Sequence, residues 1–165
     1  MQPVRDDGPL GDDRTEYEQA CDEVLAGARR SVRIFSADLD TRLLNRERVS
    51  ELLVRLARHN PAARIRILIN DPATALEQGH RLIYLARRLP SFVTIRVASA
   101  QAGVDDPESW LLADDTTLLW RPDFRQLRHG LLHRHDRQRS GALMRLFDER
   151  WQQARQDNAL RQLHL

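Results

Sequence analysis

The sequence predicts an α/β fold: a mixed, largely parallel sheet flanked by helices. Three observations carry this. Apolar and polar residues alternate in the short runs SVRIF, RIRILI and FVTIRVA, the period of a strand. Apolar residues between these runs recur at helical spacing. The two patterns take turns along the chain, as right-handed crossovers between parallel strands require. With 165 residues, 41% apolar and 30% charged, the chain suffices for one proper core and is too short for two ordinary domains.

Residues 1–13 are polar, with Pro3, Gly8, Pro9 and Gly11, and read as a disordered tail. Thr15-x-x-Glu18 has the form of a capping box. Tyr17, Cys21, Val24, Leu25 and Ala28 then make an amphipathic helix over 15–29. Cys21 lies on its apolar stripe, which favours packing over thiol chemistry. The first strand carries Val32, Ile34 and Ser36 on one side and ends near Ala37. A helix over 47–59 buries Val49, Leu52, Leu53 and Leu56, and Asn60-Pro61 stops it. The next strand places Ile65, Ile67 and Ile69 on one side and Arg64, Arg66 and Leu68 on the other. Asp71-Pro72 opens a helix that runs to Leu89, where Pro90 ends it.

A third strand covers 92–98, and residues 99–107 form a loop. SWLLA and TTLLW flank Asp114-Asp115 as a hairpin. Residues 121–139 are dense in Arg and His and weakly periodic. A last helix begins near Gln138, with Leu143, Leu146, Phe147, Trp151 and Ala154 on its stripe. The domain is thus expected over 14–156, with 157–165 as a frayed tail.

All 26 basic residues are arginine; lysine is absent. Schiff-base chemistry, a phosphate-loop lysine and a lysine general base are therefore excluded. The basic side chains hold anions rather than shuttle protons. The 24 acids leave a formal net charge of +2, so any phosphate or nucleic-acid role must come from a local patch. No apolar run approaches the ~18 residues of a membrane span. Acids near the N-terminus argue against an export signal. With a single cysteine, a reducing, cytoplasmic setting fits. No cofactor is expected.

Ligands of open α/β sheets bind beyond the carboxyl ends of the strands. Asp38 and Asp40 follow the first strand, Asp71 the second and Asp114 the fourth. Asp71 also serves as a helix cap and Asp114-Asp115 as a turn. The densest group, RPDFRQLRHGLLHRHDRQR, offers Arg121, Arg125, Arg128, His133, Arg134, His135 and Arg137 as an anion-binding surface. In a helix His129 and His133 would stack on one face. A metal-dependent phosphoesterase using Asp38, Asp114, His133 and His135 is the enzymatic alternative, although the spacing fits no zinc signature. A solvated polar loop is the plain one. Trp110 and Trp120 beside the hairpin turn suit core or interface packing.

The order of these phrases is similar to a known family. A helix leads into a strand ending SADLD. The unit RIRILIN-DPATALEQGHRLIYLARRLP follows, then FVTIRVA, a strand into Asp114-Asp115, and a closing helix LMRLFDERWQQA. Over about residues 15–155 this resembles one repeat of the phospholipase D-like superfamily, in its single-repeat bacterial branch. Active members carry H-x-K-x4-D. With Asp114 on the motif aspartate, the histidine position falls on Pro107 and the lysine position on Ser109. The resemblance thus implies a scaffold without its nucleophile, with a vestigial site of Ser36, Asp38, Ser109 and Asp114. It implies a homodimer, because members pair two repeats around one site. The expected function is a catalytically inactive domain that binds a phosphate-bearing ligand or a protein partner; a nucleic-acid-binding module acting through the Arg121–Arg139 segment is an alternative.

Overall fold

A computed structural model describes residues 7–99 and 106–161. Within them the order is β1 (Gly8–Pro9), α1 (Arg14–Gly27), β2 (Ser31–Phe35), α2 (Thr41–Leu44), α3 (Glu47–His59), β3 (Arg64–Ile69), α4 (Ala73–Glu77), α5 (Arg81–Arg88), β4 (Val93–Val97), β5 (Ser109–Ala113), β6 (Thr117–Arg121), β7 (Leu131–His133), α6 (Arg137–Gln153) and α7 (Asn158–Arg161). The strands form one sheet in the order β1-β7-β6-β5-β2-β3-β4.

Only β2–β3 and β3–β4 pair in parallel. The other four pairings are antiparallel. The expected "largely parallel" sheet is therefore corrected to a mostly antiparallel one. After β4 the chain returns as β5 to the free side of β2, and β6, β7 and β1 extend the sheet from there, each antiparallel to its neighbour. The β5–β6 turn is the expected hairpin. Its central residues, Asp114 and Asp115, adopt φ of 52° and 64°, the left-handed pair that matches the twist of the flanking strands.

Alternation within the strands divides the core. Val32, Ile34, Ile65, Ile67, Ile69, Val93, Ile95, Leu111 and Leu119 face α1, α3 and α5 in the larger cluster. Phe35, Leu68, Trp110, Leu112 and Leu118 face α6 in a smaller one, with Phe147 and Trp151. There Phe35–Trp110, Trp110–Phe147 and Phe147–Trp151 form a run of ring contacts at 6.1, 5.6 and 5.6 Å. Both hairpin tryptophans face this layer, so the packing role expected for Trp110 holds.

Local differences have local causes. Asp13, not Thr15, caps α1, accepting from Thr15 N at 3.0 Å, while Glu18 pairs with Arg14 instead of completing a capping box. Residues 8–9 pair with β7 and Leu10 is buried, so this stretch of the expected tail is part of the sheet; residues 1–6 lie outside the described residues. The helix expected from Pro72 to Leu89 is two helices. Gly79 sits at φ 60° between them, and His80 caps α5 by accepting from Leu82 N at 3.1 Å. In the expected C-terminal tail, Leu160 is buried and α7 packs on α5. Most of the loop expected at 99–107, residues 100–105, lies outside the described residues.

Candidate ligand site at the carboxyl ends of the strands

β2 ends at Phe35, and the next five residues build the centre of the site. Ser36 is buried, donates its N–H to Leu68 O at 3.1 Å, and keeps its hydroxyl without a hydrogen bond to the described residues. Leu39 turns the chain through φ 66° and is fully buried. This turn aims Asp40 back under the sheet. Asp38 is half-buried and accepts from Asp40 N at 3.2 Å. Burial, and then the charge of Asp40, hold the Asp38 carboxyl above the usual carboxylate range.

Asp40 meets the end of β6. One carboxylate oxygen accepts from Arg42 N at 3.0 Å and so caps α2; the other accepts from Arg121 Nη2. Both side chains of the Arg121–Asp40 pair are within a few per cent of full burial. Arg121 Nη2 also lies 3.5 Å from Ser109 Oγ and 3.4 Å from Phe124 O. Its Nε and Nη1 are buried without a hydrogen bond to the described residues. Ser109 and Arg121 are cross-strand partners, and Ser109 Oγ donates to Phe35 O at 3.3 Å. Tyr17, Cys21, Asp40, Ser109 and Arg121 line a cavity of about 30 Å³. That volume suits one or two waters and is too small for a phosphodiester. Burial pushes the Cys21 thiol up to about 12, which keeps it unreactive.

An imidazole stands on the same side. His80 is fully buried, and burial lowers its pKa to about 4. Its Nδ1 is occupied by the α5 cap, and its Nε2 is buried without a hydrogen bond to the described residues.

The structure brings Ser36, Asp38 and Ser109 to one end of the sheet and leaves Asp114 at the other. Asp114 N donates to Ser31 O, at the first residue of β2. Its carboxylate accepts from Arg29, Arg30 and Ser31 N–H groups at 2.8, 2.7 and 3.1 Å. The five residues of β2 separate it from Ser36, roughly 16 Å at strand rise. Asp114 is thus an anchor for the entry to β2. For the same reason Asp38 and Asp114 cannot share a metal ion, and among the described residues no three His, Cys, Asp or Glu side chains cluster as metal ligands.

The Arg/His segment is also divided. Arg121 is buried in its ion pair. Arg125 is held by Asp123 at 2.9 Å. Arg134 is clamped between Asp7 and Glu23, both at 2.7 Å. Arg128, His135 and Arg137 are exposed, and their side chains make no hydrogen bond or ion pair with the described residues. His129, at φ 56°, lies in a turn, and His133 is half-buried in β7, so no helix stacks these two. The signal that could have flagged Arg121 is its place on the apolar-facing parity of a strand, opposite Ser109.

A family model described as "Domain of unknown function (DUF7931)" matches residues 13–163. The chain belongs to this family. No curated protein matches the sequence. Among solved structures, NucT from Helicobacter pylori superposes with a TM-score of 0.66 at 10% identity, covering 90% of this chain and 96% of NucT. Nuc from Salmonella typhimurium, a phospholipase D family member, gives 0.58 at 13% identity over 83% of this chain and 88% of Nuc. TrmBL2, an archaeal chromatin protein with a novel mode of DNA binding, gives 0.66 at 10% identity over 95% of this chain and 56% of its own. The DUF7931 chain therefore has a phospholipase D-like fold. Among the described residues, no helix is long and apolar enough to cross a membrane.

Proposed function

We propose that this chain is a non-hydrolysing phospholipase D-like domain that binds the phosphate backbone of a nucleic acid. The observation that carries the reading is the side-chain set where hydrolysis would need a nucleophile. Pro107 stands at the motif's histidine position and Ser109 at its lysine position. Ser109 Oγ is committed to Phe35 O. The imidazole on this side, His80, is sealed and serves as a helix cap. A phosphohistidine mechanism needs an exposed, activated ring nitrogen, and Ser36, Asp38, Ser109 and Arg121 supply none.

Binding is supported by Arg128, His135 and Arg137, which are exposed and whose side chains make no hydrogen bond or ion pair with the described residues. Guanidinium forks match phosphate oxygens. That TrmBL2 is a DNA-binding protein of similar fold supports a nucleic acid as the phosphate carrier. Pairing of repeats in the superfamily supports a second copy as partner, which light scattering reads as a mass twice 19.2 kDa.

The test combines turnover and binding. A chromogenic phosphodiester should show no hydrolysis above buffer. A fluorescent DNA duplex should bind with an affinity that falls about tenfold between 50 and 200 mM salt if two phosphates are contacted. Turnover abolished by His133→Ala or His135→Ala would overturn the non-hydrolysing reading. Absent or salt-independent binding would overturn the nucleic-acid one.

A further inference from the structure

We infer that the face of the sheet under α6 carries a second phosphate site, an arginine cleft at the amino ends of β2 and β3. The inference rests on the nucleic-acid reading above and adds a surface that none of the site residues discussed so far occupies. Arg30, Arg33, Arg64, Arg66 and Asp115 line a surface cleft of about 230 Å³. This is room for a phosphate group with its flanking sugar atoms, and well below a nucleotide-sized pocket.

The strand register makes the cleft. β2 and β3 turn their isoleucines and valines to the large core, so the alternate positions face α6. At the carboxyl half those positions are Phe35 and Leu68, covered by the aromatic layer. At the amino half they are Arg33, Arg64 and Arg66. Arg33 and Arg66 are direct cross-strand partners, an arrangement that like charges destabilise.

That repulsion is only half relieved. Asp115 and Asp148 take Arg33, at 2.6 and 3.2 Å. Arg30, Arg64 and Arg66 make no ion pair with the described residues. Arg64 Nη1 donates to the neighbouring Ala63 carbonyl at 2.7 Å. Arg66 lies 5.9 Å from the centre of the Trp151 ring, whose nearer cation is Arg96 at 4.5 Å. Arg30, Arg64 and Arg66 therefore line one opening without an ion pair to the described residues, beside an Asp115 that is engaged by Arg33. An entering phosphate would neutralise them and accept bidentate bonds. Tyr84, the exposed large apolar side chain among the described residues, belongs to the groove between α3 and α5. With no exposed aromatic to stack a base, the cleft reads the backbone of a duplex and not its sequence.

The experiment measures anisotropy of a labelled 20-base-pair duplex with the full chain. Arg30 and Arg64 are both exposed, so Arg30→Gln/Arg64→Gln spares the fold, checked by circular dichroism. This double variant should weaken binding about tenfold at 100 mM salt and lower the salt slope by about two. The control Arg55→Gln/Arg58→Gln, on α3, removes the same charge elsewhere and should change affinity less than twofold. Equal weakening by both variants would mean that net charge alone matters and would overturn the cleft. An unchanged cleft variant beside a weakened Arg128→Gln/Arg137→Gln would also overturn it while leaving the proposed function standing. If the wild-type chain binds no duplex, the proposed function fails, and inorganic phosphate then decides the cleft. Arginine Nε–H resonances that shift with phosphate in the wild type, but not in the cleft variant, uphold it; no shift refutes it.

Discussion

Asp40 and Arg121 are an ion pair across 81 residues of chain, sealed between the turn after β2 and the end of β6. Removing one partner strands the other charge in the interior. Arg121→Met should destabilise the domain by about 3–5 kcal/mol in urea unfolding. Asp40→Leu combined with Arg121→Met should recover most of this, because well-packed apolar pairs replace buried ion pairs at little cost. A residual loss of about 1 kcal/mol is expected from the α2 cap that Asp40 also supplies. If the double variant is as unstable as the single one, the pair is not the source of the effect.

Asp114 holds three backbone N–H groups at the entry to β2. Asp114→Ala leaves those donors to water or to nothing, and should cost about 1–3 kcal/mol. Because the same N–H groups place Arg30 and Ser31 beside the arginine cleft, any loss of nucleic-acid affinity should accompany the loss of stability. A large loss of binding with unchanged stability would return Asp114 to a ligand site.

These two carboxylates show what was legible in the sequence. Alternation identified β2, β3, β4 and the β5–β6 hairpin, because strands buried on one face write their period into the chain. Apolar residues at helical spacing placed α1, α3 and α6 within a few residues, and Asn60-Pro61 marked the end of α3. The sheet order was not legible: nothing local in SWLLA says that β5 returns beside β2. That return sends Asp114 to the amino end of β2 and brings Arg121 beneath Ser109. The Arg/His segment failed as one surface for a similar reason. Asp7, Glu23 and Asp123 reach Arg134 and Arg125, and two of those three acids are distant in sequence.

His80 makes the fold sensitive to acid. Burial lowers its pKa to about 4 from an ordinary 6.5. Above pH 6.5 it is neutral in both folded and unfolded chains, and its contribution is fully present. Below that the unfolded chain takes the proton first, so stability falls as pH drops from 6.5 towards 4, by up to about 3 kcal/mol. Asp38, raised in the fold, acts in the opposite sense. His80→Asn keeps a side-chain acceptor for Leu82 N and removes the titration. Its urea midpoint should therefore fall less than the wild type's between pH 7 and pH 5. Parallel curves for the two proteins would assign the acid sensitivity to other groups.

The α6 layer rests on few contacts. Phe147 lies between Trp110 and Trp151, at 5.6 Å from each, and is 1% exposed. The cluster on this face of the sheet is much smaller than the one opposite. Phe147→Ala should cost about 3–5 kcal/mol, the removed ring plus the cavity it leaves. Because α6 also carries Asp148, the partner of Arg33, loosening it should disturb the arginine cleft as well. The near-ultraviolet dichroism of the tryptophans should collapse before the far-ultraviolet helical signal on heating. A single coincident transition in both signals would show that the α6 layer and the larger core unfold as one unit.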